Sequence, residues 1–456
     1  MTTSVGRNSS STATPTKATF SYWLKGQHDG TQQGIWGWHR GNDASNYWLG
    51  VYYSTNGSMY FNWKQSGLSV TLGTTQKFRD PCAWGHHVIS IDTTLGTASD
   101  RVKWYINGQR VTSFEDGLDT ISQNTTILNW SNSQDKMEIG TWYQASSAKN
   151  LNNHLISHFH MTDAYAYQAS DFGSTDNVTG EWSINTSPSV TYGSEGGFWF
   201  KDDASLTDRS GQGNNFILDG GTLTKTEDNP SNNFSVINFN FNPDPSNGSL
   251  GANANGGLSF TTNITSQSIM GVTTIGATSG KYYAEFKLTG ESGAARSFAG
   301  IGYNIYDQAT TSLNADNNFM WNVCSNGVSN QGGSAQPSGN WSNLYTTNDI
   351  ISVAMDLDNN KVYFAKNGQY ADGSGNWDEA FTGSPAYATI TADKTYFFCA
   401  GDIASSTNSS WTCNFGNGYF ATTAISSEGT NASGIGKFEY DVPAGYTALS
   451  TKGLNS

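Results

Sequence analysis

What most constrains this chain is its hydrophobic pattern. Long helical periodicity is hard to find, whereas short runs of alternating β-branched and aromatic residues, broken by Gly, Asn and Asp, recur throughout. Such a chain must bury its apolar faces in sheets, so the pattern predicts an all-β protein. Two stretches show it best, and they resemble each other. His87-Val88-Ile89-Ser90-Ile91-Asp92 is followed by a polar turn, Val102-Lys103-Trp104-Tyr105-Ile106 and then Asn107-Gly108. Far downstream, Ile350-Ile351-Ser352-Val353-Ala354-Met355-Asp356 leads through a turn to Lys361-Val362-Tyr363-Phe364-Ala365-Lys366 and then Asn367-Gly368. An Asn-Gly pair accepts positive φ at both central positions of a tight hairpin. Asn107, Gly108, Asn367 and Gly368 are therefore predicted turn formers, and two antiparallel sandwiches of related design are expected in succession.

Length agrees, because 456 residues exceed what one hydrophobic core usually supports. Residues 1–16 read as a polar N-terminal arm, 17–200 as the first sandwich, 201–234 as a linker and 235–456 as the second sandwich. The linker is rich in Gly, Asn and Asp yet carries Phe216, so it is expected to pack rather than swing freely. Charged residues make up 13% of the chain, against about 25% in an average domain. Its surface must be polar but mostly neutral. The formal charge of -14, with no basic stretch to offset it, argues against nucleic acid and anionic lipid as partners. Nowhere do eighteen apolar residues run together, and the first sixteen lack the regions of a signal peptide, so neither membrane insertion nor secretion is expected. Cys82, Cys324, Cys399 and Cys413 read as thiols of a reducing cytoplasm, with Cys399 and Cys413 on consecutive strands as possible neighbours.

Residues able to carry chemistry are few. Asp356 and Asp358 alternate as a glycosidase acid pair might, but beside Asn359-Asn360 they read better as turn residues. His154, His158 and His160 alternate, which in an unbroken strand puts three imidazoles on one side. Their apolar neighbours Leu155, Phe159 and Met161 make a half-buried strand the favoured reading. Asp43, Asp92 and Asp100 are candidate calcium ligands and, equally, ordinary turn formers. No other cofactor is expected, and no P-loop, GxSxG or HExxH motif is present. What remains is binding: Trp36 and Trp38 near Gly34 and Gly37, Trp341 and Tyr345 after Gly339, and Trp377 after Gly375 are aromatics in polar, loop-like sequence. Such rings stack on sugars or anchor protein contacts.

The hairpins and their flanks also carry a resemblance. Phe20-Ser21-Tyr22-Trp23-Leu24-Lys25, Phe78-Arg79-Asp80-Pro81, Ala83-Trp84, Asp100-Arg101-Val102, Asn107-Gly108-Gln109, Phe159-His160 and Ser170-Asp171-Phe172-Gly173 resemble the laminin-G-like branch of the concanavalin A-like superfamily. The match departs at Ala164, where that family usually has Gly. Gly280-Lys281-Tyr282-Tyr283-Ala284-Glu285-Phe286, Gly300-Ile301-Gly302-Tyr303, Asp349 to Asp356 and Phe364-Ala365-Lys366-Asn367-Gly368 resemble a SPRY domain. In this order, joined by Ser210-Gly211-Gln212-Gly213-Asn214-Asn215-Phe216 and closing with Pro443-Ala444-Gly445-Tyr446, the two modules resemble virion proteins of tailed phages, particularly those of marine bacteria.

The resemblance implies two jelly-roll sandwiches and a non-enzymatic structural protein on the virion surface, made in the bacterial host cytoplasm. Other phage structural proteins are then its partners, a homo-oligomer its state on the particle, and a host surface glycan its candidate ligand. A head decoration or a compact tail tip or knob fits a chain without coiled-coil heptads. A tail-fibre receptor-binding protein, a polysaccharide depolymerase and an intracellular SPRY adaptor are the alternatives.

Overall fold

The computed structural model describes residues 3–456 except 10–13, 27–29, 42–45, 117–120, 128–134, 145–146, 152–153, 202–203, 242–247, 266–268, 293–295, 304–319, 326–328, 332–333, 336–344, 372–375, 384–385 and 404–406. Among the described residues there are strands and short 3-10 turns but no α-helix, so the protein is all-β. The chain divides into two compact units, Met1–Lys225 and Thr226–Ser456. Each is a predominantly antiparallel two-sheet sandwich of the jelly-roll class.

Strands of the first unit are β1 (Ser4–Asn8), β2 (Lys17–Gly26), β3 (Gln33–Arg40), β4 (Trp48–Tyr53), β5 (Met59–Gln65), β6 (Leu68–Gly73), β7 (Gly85–Asp92), β8 (Val102–Ile106), β9 (Gln109–Arg110), β10 (Asp135–Ile139), β11 (Thr141–Gln144), β12 (Ser147–Asn150), β13 (His154–Asp163), β14 (Gly173–Thr175), β15 (Trp182–Ile184), β16 (Gly197–Trp199) and β17 (Ile217–Gly220). One sheet runs β17-β1-β10-β3-β4-β5-β6 and the other β16-β13-β2-β7-β8-β9. Period-two alternation decides what meets between them. On β5, Met59, Phe61 and Trp63 turn inward into the same core as Phe20 and Tyr22 of β2, while Tyr60, Asn62 and Lys64 turn outward.

The expected N-terminal arm is built into this unit. Ser4–Asn8 forms β1, paired with β10 on one side and β17 on the other. Val5 enters the core, and Arg7, buried, donates to Glu195 Oε2 at 3.0 Å and Asn214 Oδ1 at 3.3 Å with its guanidinium over the Trp38 ring. A short polar stretch becomes a strand here because a buried counter-ion receives its one long cation. The linker expected at 201–234 is likewise divided: Ile217–Gly220 completes the first unit's sheet, and residues from Thr226 onward belong to the second.

The second unit comprises β18 (Gly248–Ala254), β19 (Ser259–Ile264), β20 (Ile269–Val272), β21 (Lys281–Glu291), β22 (Ser297–Tyr303), β23 (Met320–Cys324), β24 (Ser329–Gln331), β25 (Ser334–Ala335), β26 (Ile350–Asp356), β27 (Lys361–Lys366), β28 (Gln369–Ala371), β29 (Trp377–Glu379), β30 (Ala388–Thr389), β31 (Tyr396–Asp402), β32 (Ser409–Asn414), β33 (Tyr419–Phe420), β34 (Thr423–Ala424) and β35 (Thr447–Ala448). Its larger sheet runs β18-β19-β32-β21-β26-β27-β28-β29, and its smaller one β20-β31-β22-β23-β24-β25. Phe286, Val353, Phe364 and Trp411 of the first meet Ile301, Trp321 and Phe398 of the second in a shared core.

Candidate functional site

The aromatic residues offered by the sequence as ligand contacts are structural wherever they are described. Trp36 and Trp38 lie on β3, 0% and 1% exposed, and Trp36 stacks on Phe20 with 4.2 Å between ring centroids. The glycines beside them read as loop in the sequence, but Gly37 lies within the strand and gives room to Trp142: a Cβ there would sit 2.9 Å from its Cδ1. Tyr345 is buried with its hydroxyl on the carbonyls of Val323 and Ser297. Trp377 packs in the second unit's core. Trp341 lies outside the described residues. Burial consumes the ring faces that a ligand would need.

Both Asn-Gly pairs occupy the expected turns, with φ of 47° and 78° at Asn107 and Gly108 and of 49° and 82° at Asn367 and Gly368. Each asparagine also reaches back to the neighbouring strand. Asn107 Oδ1 accepts the His86 N–H at 2.8 Å, and Asn367 Oδ1 accepts the Ile350 N–H at 2.9 Å.

The three alternating histidines do not share a face, because one extra residue between Ser157 and His160 breaks the register of β13 against β2. His154 packs against the core ring of Tyr53, whereas His160 lies on the opposite side, stacked on Phe198 and bonded to Tyr192 Oη at 2.9 Å. Among the described residues no cluster of three or more His, Cys, Asp or Glu side chains is placed to hold a metal ion. Of the calcium candidates, Asp43 lies outside the described residues. Asp92 pairs with Lys17 at 3.1 Å and Asp100 with Arg110 at 2.9 Å, so each carboxylate faces a side-chain cation. Asp356 and Asp358 serve a turn: Asp356 accepts the Asn359 N–H at 3.0 Å, and Asp358 the Gly280 N–H at 2.7 Å. All four cysteines are unpaired, and Cys399 and Cys413 lie in different sheets and different apolar clusters.

The surface that sequence reading missed is the outer face of the first unit's seven-stranded sheet. Trp142, carried across it on the β11–β12 hairpin, stacks on Tyr52 at 4.3 Å and 11°, and Tyr52 stacks in turn on Tyr60 at 5.4 Å and 21°. Gly50 admits the first ring, since a Cβ there would lie 2.5 Å from Trp142 Cδ1. At the end of the stack Tyr60 donates to Glu115 Oε2 at 3.0 Å, and Lys77 pairs with the same carboxylate. Hydrogen bonds from Lys77 and Tyr60 hold the Glu115 carboxyl down to about 2, while burial and that carboxylate push the Tyr60 phenol up to about 12.

Along β5 from this stack, a cavity of about 410 Å³ opens at the two-residue turn into β6. That volume falls within the range of roughly 300–1,000 Å³ typical of small-ligand sites. Tyr47, Lys64 and Gln65 line it with Asn46 and with the turn from Ser66 to Ser69. The lining is fixed from behind. The Arg40 guanidinium lies 4.0 Å from the Tyr47 ring centroid and is itself paired with Asp135 at 3.1 Å. Gln65 Oε1 accepts the Trp63 indole N–H at 3.1 Å, and its amide donates to the Thr126 carbonyl at 2.6 Å. The hydroxyls of Ser66 and Ser69, by contrast, make no hydrogen bond among the described residues. An aromatic ring, free hydroxyls and an ammonium around a sugar-sized space are the groups that hold a carbohydrate: the ring takes the apolar face and the polar groups take hydroxyls. The signal in the sequence was Lys64-Gln65-Ser66-Gly67-Leu68, a hairpin turn ending an alternating strand.

No family model and no curated protein matches this chain. Solved structures similar to part of it include the SPRY domain of human HERC1, at 17% identity over 34% of this chain and 87% of that one, with a TM-score of 0.27. The native heptameric SAP-like pentraxin of Limulus polyphemus is 11% identical over 37% of this chain and 78% of that one, with a TM-score of 0.25. Full-length tailspike protein 2 of Escherichia coli O157:H7 bacteriophage CAB120 is 12% identical over 35% of this chain and 21% of that one, also with a TM-score of 0.25. Each likeness spans little more than a third of the chain.

Proposed function

We propose that this chain is a non-enzymatic structural protein on the surface of a tailed-phage particle, a head decoration or a compact tail tip or knob, whose first unit binds host surface sugar. The observation that carries the binding role is the cavity beside β5 and β6, with its braced Tyr47 and Gln65 and its serine hydroxyls that make no hydrogen bond among the described residues. Among the described residues its lining contains no carboxylate, whereas most glycoside hydrolysis takes two. The particle role rests on the order of the two modules in the sequence.

Purified particles test it. The chain is expected to stay on them at moderate salt and to be reached by antibodies from outside. Stripped particles that lose adsorption assign it to host binding, and stripped particles that lose head stability assign it to decoration. Absence of the chain from highly purified particles contradicts the proposal.

A further inference from the structure

Among the described residues the cavity lining holds one charged group. Lys64 projects from the outer face of β5, directly across the sheet from Trp48 and Ser69, and has no carboxylate partner among the described residues. Arg7, Lys17, Arg40, Lys77, Lys103, Arg110, Lys136, Lys281 and Lys437 pair with acids, whereas Lys225, Lys361 and Lys452, like Lys64, have no acid partner among the described residues; what distinguishes Lys64 is its place in the cavity lining. Arg40, whose guanidinium lies behind the Tyr47 ring of the lining, is committed to Asp135 and to that ring. An ammonium with no counter-ion among the described residues, at the mouth of a site built from a ring, an amide and two serine hydroxyls, is placed to receive one from a ligand.

We propose that the sugar this site takes is anionic, with its carboxylate or phosphate on Lys64, its apolar face on Tyr47 and its hydroxyls on Ser66 and Ser69. The assignment rests on the sugar-binding reading and narrows it. Lysine offers a compact point charge with three donors, which suits either anion without demanding the planar fork that arginine imposes. A charge-assisted contact at a partly exposed site is worth about a factor of ten in affinity. Ring and hydroxyl contacts supply the remainder, so a neutral sugar of the same shape still binds, more weakly.

The test uses the full chain and three probes: tetragalacturonate, its methyl ester, and glucose 6-phosphate. Calorimetry should show the acid bound about tenfold more tightly than the ester. This preference should shrink as added salt brings the Debye length below about 10 Å. Lys64→Gln is expected to abolish the preference while leaving the ester's affinity in place, and Lys64→Arg to keep it. Tyr47→Ala weakens acid and ester alike. Glucose 6-phosphate bound with the same dependence on Lys64, and more tightly than the acid, assigns the charge to phosphate and keeps the inference. Equal affinity of acid and ester in the unmodified chain, with no effect of salt, overturns it while the sugar-binding role stands. If neither these probes nor host polysaccharide binds, the sugar-binding role falls as well.

Discussion

The two units build the same corner of a sandwich and fill it with opposite chemistry. In the first, β2, β7 and β8 lead into the Asn107-Gly108 turn; in the second, β21, β26 and β27 lead into Asn367-Gly368. In each, a later segment of the unit closes over the outer face of these strands. Beneath Trp182 of the first unit lies His86, which accepts the indole N–H at Nδ1 (2.9 Å) and shares a 2.9 Å hydrogen bond between Nε2 and the Ser21 hydroxyl. That arrangement requires a neutral imidazole. Beneath Phe438 and Tyr440 of the second lies Glu285, fully buried, accepting N–H groups of Glu439 and Tyr440 at 2.9 Å each and the Asn414 amide at 3.0 Å, with the Tyr283 hydroxyl 3.2 Å away. The fold therefore specifies that something polar must tie the covering segment down. Which residue does it is free to vary.

The difference predicts unequal damage. Glu285→Ala leaves two backbone N–H groups and one Asn414 amide N–H without an acceptor in a dry site, while the Tyr283 hydroxyl keeps Ser352 Oγ at 2.8 Å, and is expected to cost the second unit about 3 to 5 kcal/mol. His86→Ala strands only neutral partners, Trp182 and Ser21, and should cost the first unit about 1 to 3 kcal/mol. Calorimetry of the two variants assigns the two transitions, and equal losses would break the contrast.

Acidity sharpens it further. Burial lowers His86 and His87 from 6.5 to about 3 and carries His160 well below its ordinary value, so the unfolded first unit binds more protons at mildly acid pH and its stability rises with pH. Burial raises Glu285 from 4.5 to about 7 against the pull of its donors, so the folded second unit holds the extra proton and loses stability as pH rises through that interval. Between pH 4.5 and 6.5 the two melting transitions are expected to move in opposite directions, each group contributing on the order of 1 kcal/mol or more. Glu285→Gln should flatten the second slope and leave the first. Parallel slopes would contradict the assignment of the two buried groups.

The turns come next in size. Val at Gly108 or Gly368 is strained by positive φ, about 1 to 3 kcal/mol. It also drives a Cβ to 2.4 Å from the Trp182 ring or 2.7 Å from Tyr440. Each variant should lower its own unit's transition and spare the other. The smallest effect has the opposite sign. Ala164 holds φ of 66° where the laminin-G-like pattern favours Gly, and Ala164→Gly is expected to stabilise the first unit by up to about 1 kcal/mol, read as a raised midpoint in urea. A lowered midpoint would show that the alanine methyl contributes more than its backbone strain costs.

These results also mark what the sequence could reveal. The Asn-Gly hairpins, the all-β class and the presence of two sandwiches were legible because turn chemistry and period-two alternation act over a few residues. The ligand candidates were misplaced because Gly beside Trp reads as loop, while Gly37 and Gly50 are strand positions emptied for Trp142, almost a hundred residues away or more. His154, His158 and His160 looked coplanar because a bulge leaves no mark in the sequence. The cavity was invisible for a related reason. Tyr47 and Lys64 meet there only because β4 pairs with β5 in a particular register, and Arg40 and Gln65 are braced by partners as distant as Asp135 and Thr126.

Binding without turnover is the central claim, and a single incubation measures both parts of it. Host envelope polysaccharide is mixed with the purified chain, bound protein is recovered by sedimentation, and reducing ends are counted in the supernatant. The chain is expected to sediment with the polysaccharide, to lose that binding on Tyr47→Ala, and to release no reducing ends over hours. Steady release of reducing ends by the unmodified chain, or sedimentation untouched by Tyr47→Ala, would contradict the account.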